Sequence, residues 1–121
     1  MNGDASKAPE KAGLFLKPLD EAGATEPEIL PLDKYAFADA IIVVTASSRR
    51  QARGIADAAS RFCHENGFGV LGMEGYDAAD WILVDCGDII VNIFLEETRN
   101  LYKLEELWSR NRRLHDKETE E

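Results

Sequence analysis

Hydrophobic positions change their period along this chain, and the changes mark the elements. Ala40-Ile41-Ile42-Val43-Val44-Thr45 is a continuous β-branched run with no polar alternation, which predicts a strand covered on both faces. Ala52, Ile55, Ala56, Ala59, Phe62 and Cys63 then recur at helical spacing, with Arg49, Arg50, Arg53, Asp57, Arg61 and Glu65 on the other side. Ser48 followed by Gln51 fits a capping box at the start of that helix, with the hydroxyl on the N3 amide and the Gln side chain on the cap amide. Asn66-Gly67 is its C-terminal stop.

Further strands are predicted at Glu28–Leu32, Phe68–Gly72, Trp81–Asp85 and Ile89–Phe94. Pro31 cannot donate to a ladder, so the first belongs at an edge. Cys86-Gly87-Asp88 joins the last two as an antiparallel hairpin. Thr98 is placed to cap a last helix carrying Leu101, Leu104, Leu107 and Trp108 on one core-facing side. The order β-β-α-β-β-β-α predicts an α/β (α+β) domain: a mixed sheet of about five strands with flanking helices.

Outside 28–108 the pattern fades. Residues 1–27 read as a flexible extension in which Pro18 and Pro27 discourage a helix, so that Leu14–Leu19 is at most a short extended piece. Residues 109–121 read as a polar C-terminal tail. Leu14-Phe15-Leu16 is too short for a secretory h-region, and no apolar run reaches membrane-spanning length, so the expected compartment is the cytoplasm.

Composition narrows the function. The net charge is −9, and residues 29–108 hold seven basic side chains against thirteen acidic ones. That balance disfavours phosphate backbones as the target and suits a basic protein partner. Two cysteines do not make a disulfide framework; Cys63 reads as a small core residue and Cys86 as a strand-end residue.

Candidate chemistry is thin. Thr45-Ala46-Ser47-Ser48 lies between a strand and a helix, but has no glycine and no following lysine of a P-loop, so helix capping is the simpler reading. Asp85 and Asp88 flank a turn and could hold Mg²⁺ for nucleotidyl transfer, with Ser47 and Ser48 at the helix start; this is the alternative, enzymatic reading. His64 and His115 have no nucleophile placed beside them. Trp81 would ordinarily be a core residue. However, if Ile82 and Val84 face the helices, then Trp81, Leu83 and Asp85 face the other way, near Asn92, and two predicted helices leave part of that face open. An exposed aromatic there would mark a protein interface.

Several ordered motifs carry a family likeness. They are Phe37–Thr45 with Ser47–Gln51, Ile55-Ala56-Asp57, Leu71–Tyr76, Asp80–Val91 and Glu97–Trp108. Over 28–108 the chain resembles the ribosomal silencing factor (Iojap-like) family. The resemblance implies a nucleotidyltransferase-like fold without known catalytic activity, and the residues themselves call for no cofactor and no metal. It also implies a factor that binds a basic large-subunit ribosomal protein at the intersubunit face, blocks subunit joining, represses translation, and is often a homodimer when free. By position, Trp81, Asp85 and Cys86 match the family's partner-contacting strand end, with Tyr76 beside it and Asn92 where the family usually has His. The family's N-terminal helix is not evident in 1–27, and Ala46 replaces a usual Gly.

Overall fold

The computed structural model describes residues 3–33 and 36–119. Lys34, Tyr35 and the outermost two residues of each predicted extension lie outside the described residues. Five strands form one sheet in the order β1-β2-β5-β4-β3. They are β1 (Thr25–Pro31), β2 (Ala40–Ala46), β3 (Gly72–Glu74), β4 (Trp81–Asp85) and β5 (Ile89–Leu95). β2 and β5 run parallel, while every other pair is antiparallel, so the sheet is mixed, as the sequence predicts.

Side-chain alternation splits the core into two layers. Ile42, Val44, Ile82, Val84, Val91 and Ile93 point to one face and pack against α1 (Gly3–Glu21) and α2 (Arg49–Glu65). Ile41, Val43, Trp81 and Phe94 point to the other face, where Leu107 of α4 (Leu104–Thr119) joins them. Leu83 and Ile90 share that face with Leu114. The three central strands are buried along their whole length, so their runs need no polar alternation. The Pro-bearing β1 lies at the edge, as expected.

Several expectations are corrected. Residues 3–21 form a helix, not an unstructured leader. The stripe Ala12, Phe15, Leu19, at helical spacing and at most 1% exposed, carries it; burying these side chains offsets the roughly 3 kcal/mol that Pro18 costs inside a helix. Gly23, at φ +99°, turns the chain out of the helix, and the Ala24 amide donates to the Leu19 carbonyl at 3.0 Å.

The predicted polar tail continues the last helix to Thr119, with Asn111 and Leu114 buried on the sheet. That helix does not start at Thr98: a four-residue turn, α3 (Glu96–Arg99), ends at Asn100, and α4 begins after Lys103. Thr98 Oγ1 instead has its one proton within reach of two carbonyls, those of Asp80 at 2.9 Å and Leu95 at 3.0 Å. The third strand falls at 72–74 rather than 68–72, because Gly67 and Gly69 both take positive φ and hold 66–71 as a loop. Ser48 caps α2 as predicted, accepting the Gln51 amide at 3.1 Å. Gln51 Oε1, however, accepts from the Ser47 amide at 2.7 Å, one residue short of the cap.

Candidate docking surface

β4 and β5 place Trp81 and Asn92 diagonally across one ladder, and α4 lies over both. The indole Nε1 donates to Asn92 Oδ1 at 2.8 Å. Asn92 Nδ2 donates to Asn111 Oδ1 at 2.8 Å, and Asn111 Nδ2 donates back to Asn92 Oδ1 at 3.0 Å and to the Leu107 carbonyl at 2.7 Å. A buried amide must satisfy both its donor and acceptor ends, and this reciprocal pair does so while reading the register of α4 on the sheet.

The indole is itself enclosed. Phe94 and Tyr102 stand 4.7 and 4.6 Å from it, centroid to centroid, and the Arg110 guanidinium lies 4.2 Å above the ring. Arg110 is held there by Glu74 at 2.6 Å and by the Trp81 carbonyl at 3.2 Å. Trp81 is therefore only 4% exposed, which corrects the expectation of an open indole. The strand parity is as predicted; the missing piece is the helical cover from α4.

The other predicted contact residues separate. Asp85 is fully buried, with Oδ1 accepting the Gly87 amide at 2.8 Å inside the hairpin turn. Cys86 turns to the opposite face and is disulfide-bonded to Cys63 of α2, correcting the reading of two separate cysteines. Tyr76 packs with the α1/α2 layer, not beside the indole. Its phenol donates to Asp57 at 3.2 Å, and desolvation, followed by that bond, raises its pKa. Trp81, Asp85, Cys86 and Asn92 are thus interior, and only Tyr76 among the five is partly open.

The groups of the enzymatic reading are engaged elsewhere. Asp88 accepts from Lys11 Nζ at 3.2 Å, and the same ammonium reaches Asp39 at 3.0 Å. Ser47 and Ser48 are occupied with Gln51, as described above. Arg49 and Arg53 clamp the 76–78 turn by donating to the carbonyls of Ala78, Tyr76 and Asp77.

Leu14, Val70 and Leu71 are exposed elsewhere, but a contiguous set of exposed apolar side chains lies next door, on the α3–α4 junction. Leu101 is 70% exposed, Leu104 51%, Trp108 44% and Tyr102 37%. Clefts of about 460 and 300 Å³ flank Tyr102: one reaches Trp81 and Arg110, the other Phe94, Val43 and Leu107. Glu96, Glu97, Glu105 and Glu106 are exposed around this patch, together with Lys103 and Arg113, and Arg99 and Arg110 line its clefts. Trp108 was expected in the core. The buried stripe of α4 is instead Leu107, Asn111, Leu114, which leaves position 108 about 100° away. The signal for this was a surplus: Leu101, Leu104, Leu107 and Trp108 are too many apolar residues for one short stripe once the helix breaks at 100–103.

Comparison with known proteins decides the family. A family model described as "Ribosomal silencing factor during starvation" matches residues 5–121. The chain belongs to that family. It is 41% identical over 76 residues to a Haemophilus influenzae ribosomal silencing factor, covering 63% of this chain and 74% of that one. A Bacillus subtilis ribosomal silencing factor is 39% identical over 84 residues, covering 67% and 71%. A crystal structure of a Chromobacterium violaceum protein superposes with a TM-score of 0.74 at 30% identity, covering 83% of this chain and 84% of that one. Family membership makes this a ribosome-associated regulatory factor by kind, and no helix among the described residues is long and apolar enough to cross a membrane.

Proposed function

We propose that this ribosomal silencing factor family member docks, in the cytoplasm, on a basic protein of the large subunit at the intersubunit face. Its bulk then keeps the small subunit from joining, which represses translation. Its residues act by contact, without bond chemistry or cofactor. The observation that carries the reading is the exposed cluster Leu101, Tyr102, Leu104 and Trp108 on a molecule of net charge −9. Aromatic and aliphatic anchors on a chain of this overall charge suit a partner rich in Lys and Arg, since net charge steers the encounter and the anchors hold it. Trp81 supports this surface from beneath by packing on Tyr102. In the free protein a second copy covers the same cluster.

Sedimentation of the purified protein with large subunits tests the reading. Leu104→Asp with Trp108→Glu should remove co-sedimentation while leaving the circular dichroism spectrum unchanged. A folded double variant that still pellets like the parent would overturn it.

A further inference from the structure

The disulfide sits at an unusual place for this family's setting. Cys63 is in the last turn of α2 and Cys86 is the first residue after β4, with 6.5 Å between their Cα atoms. Both side chains are in the core, at 0 and 2% exposure. The proposed function puts the chain beside ribosomes, where glutathione and thioredoxin keep most thiols reduced, so disulfides there are mainly transient or redox-sensing.

The 66–71 loop leaves α2 just after Cys63, and that cysteine's backbone helps to hold it. The Cys63 carbonyl accepts the Phe68 and Gly69 amides at 2.9 and 3.3 Å. The Leu71 amide donates to the Asp85 carbonyl at 2.7 Å, beside Cys86. The loop is thus tied at one end to each cysteine's segment, and the disulfide joins the two ties. Residues 66, 67, 70 and 71 are exposed, and Gly67 and Gly69 give the loop hinges at φ +77° and +75°. Its ring anchor, Phe68, leans on Phe15 and Phe62 at the rim of the core. A short surface segment tied at two points is of the kind that opens locally while the sheet stays folded.

We infer that Cys63 and Cys86 form a reversible thiol–disulfide latch that exchanges with glutathione-type disulfides and sets the order of the 66–71 loop. This inference rests on the ribosome reading only for the compartment. In the oxidising direction one cysteine thiolate attacks glutathione disulfide, forming a mixed disulfide and releasing one glutathione thiolate. The second cysteine, after losing its proton to water, attacks the protein sulfur of the mixed disulfide and releases the second glutathione thiolate. The net change is protein dithiol plus glutathione disulfide to protein disulfide plus two glutathiones.

The test needs no ribosome, so its failure is separate from that of the docking proposal. The full chain is equilibrated in glutathione buffers from fully reduced to fully oxidised, quenched by alkylation and weighed by mass spectrometry. Amide hydrogen exchange is then followed for the two end states. The latch predicts a smooth oxidised-to-reduced transition across the buffers. It also predicts amide exchange at 68–71 at least about tenfold faster in the reduced form. A disulfide that stays intact at every ratio, thiols that never pair, or identical exchange in both states would overturn it. Cys63→Ala with Cys86→Ala should show the fast exchange in every buffer. Should that variant fail to fold, the parent's titration and exchange still decide the matter.

Discussion

Trp81, Asn92 and Asn111 form a continuous chain of donors and acceptors: indole to amide, amide to amide, amide to helix carbonyl. Such a network is worth most when complete, because a buried polar group that loses its partner bears the desolvation penalty. Asn111→Leu strands the Asn92 Nδ2 donor and should cost about 1–3 kcal/mol in urea unfolding. A change below the error of that measurement would show that α4 is not held by this pair. Gly75 is a second residue under tight demand. Its φ is +86°, and a Cβ there would run into the Trp81 carbonyl oxygen. Gly75→Ala should therefore destabilise by at least about 1 kcal/mol, seen as a lower thermal midpoint. An unchanged midpoint would mean that the turn relaxes freely.

At the scale of elements, two helices that the hydrophobic pattern understated complete the fold. Among its described side chains α1 docks through Ala12, Phe15 and Leu19 and through the Lys11 ammonium, shared between Asp39 and Asp88. The hydrogen bond to Asp39, then that to Asp88, raises the Lys11 pKa above its ordinary 10.5. A raised lysine stabilises fully below its unfolded pKa and loses that contribution as pH rises through the folded one. The pair should therefore support α1 unchanged at neutral pH and fade only in alkali above about 10.5. Lys11→Met should flatten that alkaline part of a stability–pH curve. The ammonium is one-third exposed, so the effect is modest. An unaltered curve would remove Lys11 from the account.

The sheet was readable because β2, β4 and β5 are long β-branched runs, and the cap and stop of α2 carry unambiguous residue types. α1 was not, because its stripe is three residues long and contains Pro18. In α4 the leucines are legible, but the polar residues after Trp108 mask the buried positions Asn111 and Leu114. A sheet face taken as open is covered, so Trp81 and Trp108 exchange the roles their neighbours suggest, one interior and the other exposed. Cys63 and Cys86, 23 positions apart in sequence, meet only through the tertiary fold.

For the molecule as a whole, the disulfide closes a chain segment of that length, and restricting the unfolded chain this way is worth about 3 kcal/mol. Reduction should lower the urea midpoint accordingly, and equal midpoints would argue that the unfolded state is already restrained there. The larger asymmetry is electrostatic. With a net charge of −9, association with a basic partner should weaken as salt is raised, chiefly through slower encounter. The measurement that reaches the central claim is a sucrose gradient of purified large subunits with added small subunits, run with the parent protein and with Leu104→Asp, Trp108→Glu. The account predicts that the parent travels with large subunits and depletes the joined-ribosome peak, while the folded double variant stays at the top and leaves that peak intact. Joined ribosomes forming equally well with the parent, or a variant as effective as the parent, would contradict it.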